Sequence, residues 1–379
     1  MRAWRQGYIH PMLVAVTIFF ILLPTIAAAQ APPASFDDLV SQATAAREQN
    51  DIPGAIQLYG QALQLNPKWQ DGWWFLGSLQ YATDSYAPAR DALTHYLELV
   101  PNAVPALALR GLCEFEIGDY APALNDIQRA LSLGAANQSR NEKILRYHEA
   151  LLLTCTGKFE EALQRYGVFV QHEAANPELL LAIGLAGLRT PVLPKELVAN
   201  QRDLFVTAGN ATFLFLKGDQ KGAQQAFQAL FQRFPSAPNA HYLYGYLLFP
   251  TDPDQAVAEF KRELEIAPSN ANDQVMLAWA SLTQNDPAEA LPYAEKSAEE
   301  EPTLPSAQLV LGRSLLETGN LKDGIAHLET ALKLEPDNLE THIALAKAYS
   351  KSGRKEDARR ERLLCLQITQ NRSTQIVSP

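Results

Sequence analysis

Between Pro305 and Asn338 apolar residues recur twice at the three-and-four spacing of one helix face. Leu309, Leu311, Leu315 and Leu316 mark a first amphipathic run, and Ile325, Leu328, Ala331, Leu332 and Leu334 mark a second. Gly319-Asn320 between them tolerates the left-handed backbone that closes a helix. Pro336 ends the second run, because proline lacks an amide proton and clashes with the preceding turn. The pattern predicts a helix-turn-helix hairpin. Such a unit cannot bury both of its apolar faces alone, so it needs neighbours of its own kind.

The rest of the chain supplies them. Prolines that close a second helix stand at Pro67, Pro101, Pro235, Pro268, Pro302 and Pro336, with steps of 34 from 67 to 101, from 268 to 302 and from 302 to 336, and of 33 from 235 to 268. Within this period small and large residues recur in phase: Trp73, Leu76, Gly77, Ala89 and Pro101, then Gly111, Gly118, Asp119, Tyr120, Ala123 and Ala130. Ala55, Tyr59, Ala62 and Pro67 carry the pattern earlier, Ala290 and Pro302 later, and Ala346, Tyr349, Gly353 and Ala358 near the end. The chain thereby resembles the tetratricopeptide repeat family. The resemblance implies an all-α fold, a right-handed superhelical α-solenoid of about nine to ten stacked hairpins. Glycine or alanine is wanted where two helices approach most closely, as at Gly77 and Gly312.

The array does not begin at residue 1. Arg2 and Arg5, an apolar run from Met12 to Leu23, Pro24 and the small residues Ala27 to Ala29 read as a secretory signal peptide over 1–29, removed before Gln30. The alternative is a retained anchor, since Met12 to Ala29 is about 18 residues against the ~17–25 that span a bilayer. Residues 30–35 form an Ala/Pro spacer, 36–175 an N-terminal set of repeats and 204–370 a C-terminal set. In 176–203 NPELLLAIGLAGLR promises a helix that Pro191 and Pro194 stop, so this stretch is expected to be a degenerate repeat or hinge. The last helix, KEDARRERLLCLQITQ, is expected to carry its charge on the side where a neighbour is missing, as a solubilising cap does. Its cluster Lys351, Arg354, Lys355, Arg359, Arg360 and Arg362 offers the other reading, a site for an acidic partner. Residues 371–379 are expected to be a disordered tail.

Charge and chemistry narrow the function. Without the leader, 30 basic residues (32 less Arg2 and Arg5) face 42 acidic ones, a balance of −12 that argues against nucleic acid or anionic lipid as the main partner. The odd, dispersed set Cys113, Cys155 and Cys365 suggests buried free thiols rather than a disulfide framework. No HExxH, GxSxG or phosphate-loop motif occurs: His148-Glu149 and His172-Glu173 each lack the second histidine. The expectation is a protein that is not an enzyme and takes no cofactor or metal. Asp and Glu are expected mostly on solvent faces.

What the resemblance implies is binding on a concave surface lined by the first helix of every hairpin. Mapped by phase, the candidate groove residues are Trp74, Tyr81, Leu112, Phe115, Tyr147, Leu151, Phe205, Tyr242, Tyr246, Phe249 and Trp279. Aromatic side chains are frequent interface anchors, so the expected occupant is a protein or peptide segment with apolar side chains. The competing reading of each is packing between adjacent first helices. A carboxylate clamp of Lys, Asn and Arg is not expected, because only Arg313 and Lys347 stand at such places. The function expected is an exported interaction scaffold or adaptor, periplasmic or secreted. The alternative is a membrane-tethered assembly factor in envelope biogenesis.

Overall fold

Among the described residues six helices end on a residue that precedes a proline and takes the same backbone, while Phe249, before Pro250, stays helical. Asn66, Val100, Phe234, Ala267, Glu301 and Glu335 all have φ between −130 and −138° and ψ between 65 and 86°. The proline ring disfavours the helical conformation in the residue ahead of it, which helps to stop these six helices at the same point. At the other bend a left-handed residue closes the first helix. Gly118, Gly157, Gly218, Gly319 and Gly353 do this, and so do Asn50, Asp84 and Asn285. Asn50, Asp84 and Gly118 are spaced by 34 residues, as are Asn285, Gly319 and Gly353, so asparagine and aspartate stand in for the turn glycine.

The computed structural model describes residues 34–134 and 139–377. The expected leader, all but the end of the spacer, and the connection at 135–138 lie outside them, as do residues 378–379. Among the described residues are nineteen α-helices and no strand. Four hairpins come first: α1 (Phe36–Glu48) with α2 (Ile52–Leu65), α3 (Gln70–Ala82) with α4 (Tyr86–Leu99), α5 (Val104–Ile117) with α6 (Tyr120–Ser132), and α7 (Ser139–Cys155) with α8 (Phe159–Val170). Then α9 (Pro177–Gly187) stands alone. Five hairpins follow: α10 (Arg202–Leu216) with α11 (Gln220–Arg233), α12 (Ala240–Leu248) with α13 (Pro253–Ile266), α14 (Ala271–Thr283) with α15 (Pro287–Glu300), α16 (Pro305–Glu317) with α17 (Leu321–Leu334), and α18 (Leu339–Lys351) with α19 (Lys355–Val377). The molecule is an all-α solenoid in which each helix packs on the next. First helices also touch first helices, α3 on α5, α5 on α7, α14 on α16 and α16 on α18, while successive second helices stand further apart. A stack bends towards its closer side, so the first helices line the inside.

Two polar devices repeat with the hairpins. After four of the six closing prolines the residue six places on reaches back to that proline's carbonyl, which lies just beyond the ended helix. Trp73 Nε1 donates to Pro67 O at 2.8 Å, Gln274 Nε2 to Pro268 O at 3.3 Å and Gln308 Nε2 to Pro302 O at 2.9 Å, and His342 Nε2 meets Pro336 O at 2.8 Å. A second bond ties the two helices of a hairpin together. Arg110 grips Asp126 through Nε at 2.5 Å and Nη2 at 2.9 Å, Arg165 Nε meets Glu149 at 3.1 Å, His241 meets Glu259 at 2.7 Å, and His342 meets Glu361 at 2.6 Å. Acidic residues are expected mostly on solvent faces, and Glu114, Asp126, Glu149, Glu259, Glu263, Asp273 and Glu361 are buried exceptions, several of them because these bonds pull them between helices. All three cysteines are free thiols, Cys113 buried.

The stretch 176–203 packs as a joint. Helix α9 is apolar all round, with eight of its eleven residues buried, and residues 188–201 replace the second helix it lacks. It lies directly on α10. A Cβ added at Gly184 would come within 1.9 Å of Phe205 O, and one at Gly209 within 1.7 Å of Leu180 O. Backbone meets backbone at this crossing, and only glycine fits on either side. The chain end departs from expectation too: α19 continues to Val377, so the backbone of 371–377 extends the helix where a disordered tail was expected.

Gly209→Ala is therefore expected to lower stability by at least about 1–3 kcal/mol, because helices rather than a side chain must move. Gly60→Ala, with nothing within 4 Å of the added carbon, is expected to gain up to about 1 kcal/mol from helix propensity. Urea unfolding followed by circular dichroism would show the two shifts in opposite directions; equal shifts would refute the close crossing.

Candidate functional site

The aromatic positions assigned to the inner face fall into two groups. Trp74, Tyr81, Tyr147, Tyr246, Phe249 and Trp279 are partly exposed, as is Leu112. Phe115, Phe205, Tyr242 and Leu151 are buried at 6, 8, 5 and 6% exposure. For the buried set the packing reading describes what is seen, and each of its three rings has a structural reason.

Phe205 lies where α10 crosses α9, its carbonyl facing Gly184. Phe115 sits in edge contact with His148 of α7 at 4.8 Å and lies under the ammonium of Lys195 at 5.5 Å. Lys195 belongs to the 188–201 strap, which reaches back along the N-terminal hairpins. Its Nζ meets Glu116 at 3.3 Å, and Glu196 accepts from the Tyr120 hydroxyl at 3.2 Å. Leu193 of the same strap is 1% exposed. The strap thus covers the end of α5 and the start of α6.

Tyr242 belongs to a different construction. Its hydroxyl donates to Glu160 Oε1 at 2.9 Å, and the same carboxylate pairs with Arg189. The Arg189 guanidinium stacks over Phe159 at 4.9 Å and Tyr242 at 5.2 Å and donates to Asn272 Oδ1 at 3.2 Å. One side chain therefore ties α8, α12 and α14 together across the inside of the bend. Its backbone is left-handed, φ 55°, an uncommon state for a residue that is neither Gly, Asn nor Asp. Arg189 closes α9 as Asn50 and Asp84 close their helices, with Thr190 N–H donating to Leu185 O at 2.9 Å. Sequence reasoning missed Arg189, Glu160 and Lys195; the only sign of them was the break in the 34-residue period. Beside this knot Asp273 is fully buried and both its carboxylate oxygens lack a hydrogen-bond partner. Burial, with Glu263 nearby, pushes its carboxyl up to about 9. Burial likewise pushes Glu114 up to about 7.

The open part of the inner face lies on either side of this knot. Towards the N-terminus Trp74 packs on Tyr96 at 5.7 Å and Tyr81 on Tyr86 at 5.9 Å. Tyr147 packs on Phe169 of its own hairpin at 5.7 Å. Beyond the knot Tyr246 stacks on Tyr242 at 6.2 Å, and Phe249 lies 6.4 Å from Phe260. Further on, Trp279, Arg313 and Lys347 occupy the same place in α14, α16 and α18, 34 residues apart. Arg313 stacks over Trp279 at 4.5 Å, and Lys347 pairs with Glu317 at 2.6 Å. This surface offers half-exposed rings with charged groups between them, suited to holding a chain by ring contacts and ion pairs. Among the described residues no group of three or more His, Cys, Asp or Glu is placed to hold a metal ion.

Family models for the tetratricopeptide repeat match residues 40–104, 217–271 and 315–361, and these segments are tetratricopeptide repeats. No curated protein matches the chain. Among solved structures it is similar to the MamA RS-1 ArsTM double mutant, at 18% identity over 45% of this chain and 96% of that one, TM-score 0.40. It is also similar to MamA 41-end from Desulfovibrio magneticus RS-1, at 18% identity, 44 and 96% coverage and TM-score 0.39. A third is YrrB, described as a TPR protein with an unusual peptide-binding site, at 18% identity, 47 and 92% coverage and TM-score 0.37.

Because Asp273 keeps its proton in the folded chain up to about pH 9 and loses it near 3.8 when unfolded, its contribution to stability falls as pH rises between those values. Asp273→Asn removes the titration. The variant is expected to gain on the wild type between pH 5 and pH 8 in urea midpoints; parallel profiles would mean the carboxyl is solvated in the native state.

Proposed function

From a chain that carries tetratricopeptide repeats, we propose a non-catalytic interaction scaffold that holds a protein or peptide segment against the inner face of the stack. One observation carries this reading: six aromatic positions on the inner helices keep part of their rings exposed, with the knot at Arg189 dividing them. Rings left half-covered on the inside of a bend are suited to taking apolar side chains of a partner, since aromatic anchors give large contact area with little loss of side-chain freedom. The apolar and basic residues of 1–29 support an exported protein, periplasmic or secreted. If that segment is retained, the same scaffold works as a membrane-tethered assembly factor of the envelope. Amino-terminal sequencing of the purified protein separates the two: a start near Gln30 supports release, a start at Met1 the tether.

Trp74→Ala combined with Tyr246→Ala removes one ring from each open section; Tyr246 borders the Arg189 knot through its stack on Tyr242 but its loss leaves the Arg189–Glu160 pair and the glycine crossings in place. The helical circular dichroism signal is expected to stay nearly intact while capture of partners from an envelope extract, compared by quantitative mass spectrometry, falls by about tenfold or more. Undiminished capture by the double variant would remove the inner face as the binding surface.

A further inference from the structure

Beyond the inner face, the end of the stack carries a second surface. Val275 in α14, Leu309 in α16 and Ile343 in α18 are equivalent residues, 34 apart. The first two are each 4% exposed, and Ile343 is 54% exposed. The difference is what covers them. Val275 clusters with Ala307, Val310 and Leu311 of α16, and Leu309 with Ala344, Leu345 and Ala348 of α18. In each case the cover is the first helix of the next hairpin, and among the described residues no helix covers Ile343 in that way. On α19 Leu366 is 59% exposed and Leu363 53%. The face expected to be a charged cap is therefore apolar along its middle, and α18 and α19 enclose a groove of about 750 Å³ floored by Leu339, Ile343, Ala346 and Leu366, with Lys351 and Arg362 at its edges. Of the basic cluster in this region, Arg354 pairs with Glu329 and Asp357, and Arg360 with Asp357 and Glu361. Among the described residues Lys351 and Arg362 form no ion pair, Lys351 acting on Glu317 only at longer range, and both are exposed.

We propose that this end groove is a docking site for an amphipathic helix of a partner protein whose polar face is acidic. The repeat itself sets the shape: in the interior hairpins the same floor is covered by a helix laying its apolar stripe along it. The charge sets the partner. Unpaired cations flanking an apolar groove attract carboxylates on the occupant, and they repel a second copy of this end face, because twofold pairing would bring Lys351 and Arg362 of both copies together. A concave slot between two helices also suits a rod of helix diameter better than a bilayer surface.

The test uses the whole chain and a fluorescein-labelled synthetic peptide of about four helical turns, leucine on one face and glutamate on the other, with a leucine/lysine peptide as control. Anisotropy titration is expected to show binding of the glutamate peptide, weaker in high salt, and none of the lysine peptide. Ile343→Asp, and separately Lys351→Glu with Arg362→Glu, are each expected to weaken it by about tenfold or more; the second pair alters only exposed charges, so it tests the site without disturbing the fold. Equal binding of the two peptides, binding indifferent to these variants, or no binding would overturn the proposal. So would sedimentation of the chain with phosphatidylserine vesicles that Lys351→Glu with Arg362→Glu abolishes while the glutamate peptide does not compete, or self-association that Ile343→Asp abolishes.

Discussion

A helical hairpin of some thirty residues has an apolar face on each side of it and covers only what lies between its own two helices; the rest must be covered by the hairpins before and after. Everything else in this molecule follows from how closely those neighbours can approach. Where Gly77 meets Leu93, or Gly312 meets Leu328 and the backbone of Gly324, the absence of a Cβ lets two helices come within side-chain contact. Where α9 meets α10 the contact is backbone on backbone. Dispersion and apolar burial act only at such short range, so the small residues at the crossings decide whether each hairpin has a neighbour close enough to stabilise it.

The same constraint explains the irregular centre. Once α9 lacks a second helix, its apolar circumference needs cover from elsewhere, and α10 supplies it directly. The fourteen residues between them, shaped by Pro191 and Pro194, are then free to run along the inside, where Leu193 is buried and Lys195 covers Phe115. The stack is held across this bend by Arg189, whose charge is met by Glu160 and whose plane is met by two rings. A planar guanidinium can satisfy both demands at once, which an ammonium group cannot.

The two ends of the solenoid differ for a related reason. At the N-terminus α1 buries Leu39 and Ala43 and turns polar residues outward. At the C-terminus α18 and α19 keep the residues that an interior hairpin would use, Ile343 and Leu366 among them, so this end retains the chemistry of a stacking surface. The two surfaces proposed for binding are thus of different kinds, an inner face of scattered half-covered rings and an end face with an apolar floor.

Much of this was written in the amino-acid order. The 34-residue step of the closing prolines, the in-phase small residues and the helical spacing of leucines fix hairpins, their boundaries and their stacking, because each depends on local backbone geometry or on a neighbour with the same pattern. The bonds from Gln274, Gln308 and His342 to the preceding prolines recur at a fixed distance of six residues, but the structure and not the sequence brought them out. What the order of residues did not contain was which inner aromatics remain open. Phe115, Phe205 and Tyr242 look the same in sequence as Trp74 and Tyr246, and are buried because a strap, a glycine crossing and an arginine from elsewhere in the chain come to lie on them. Burial by a distant segment depends on the path of the whole stack, and only the tertiary structure carries that information.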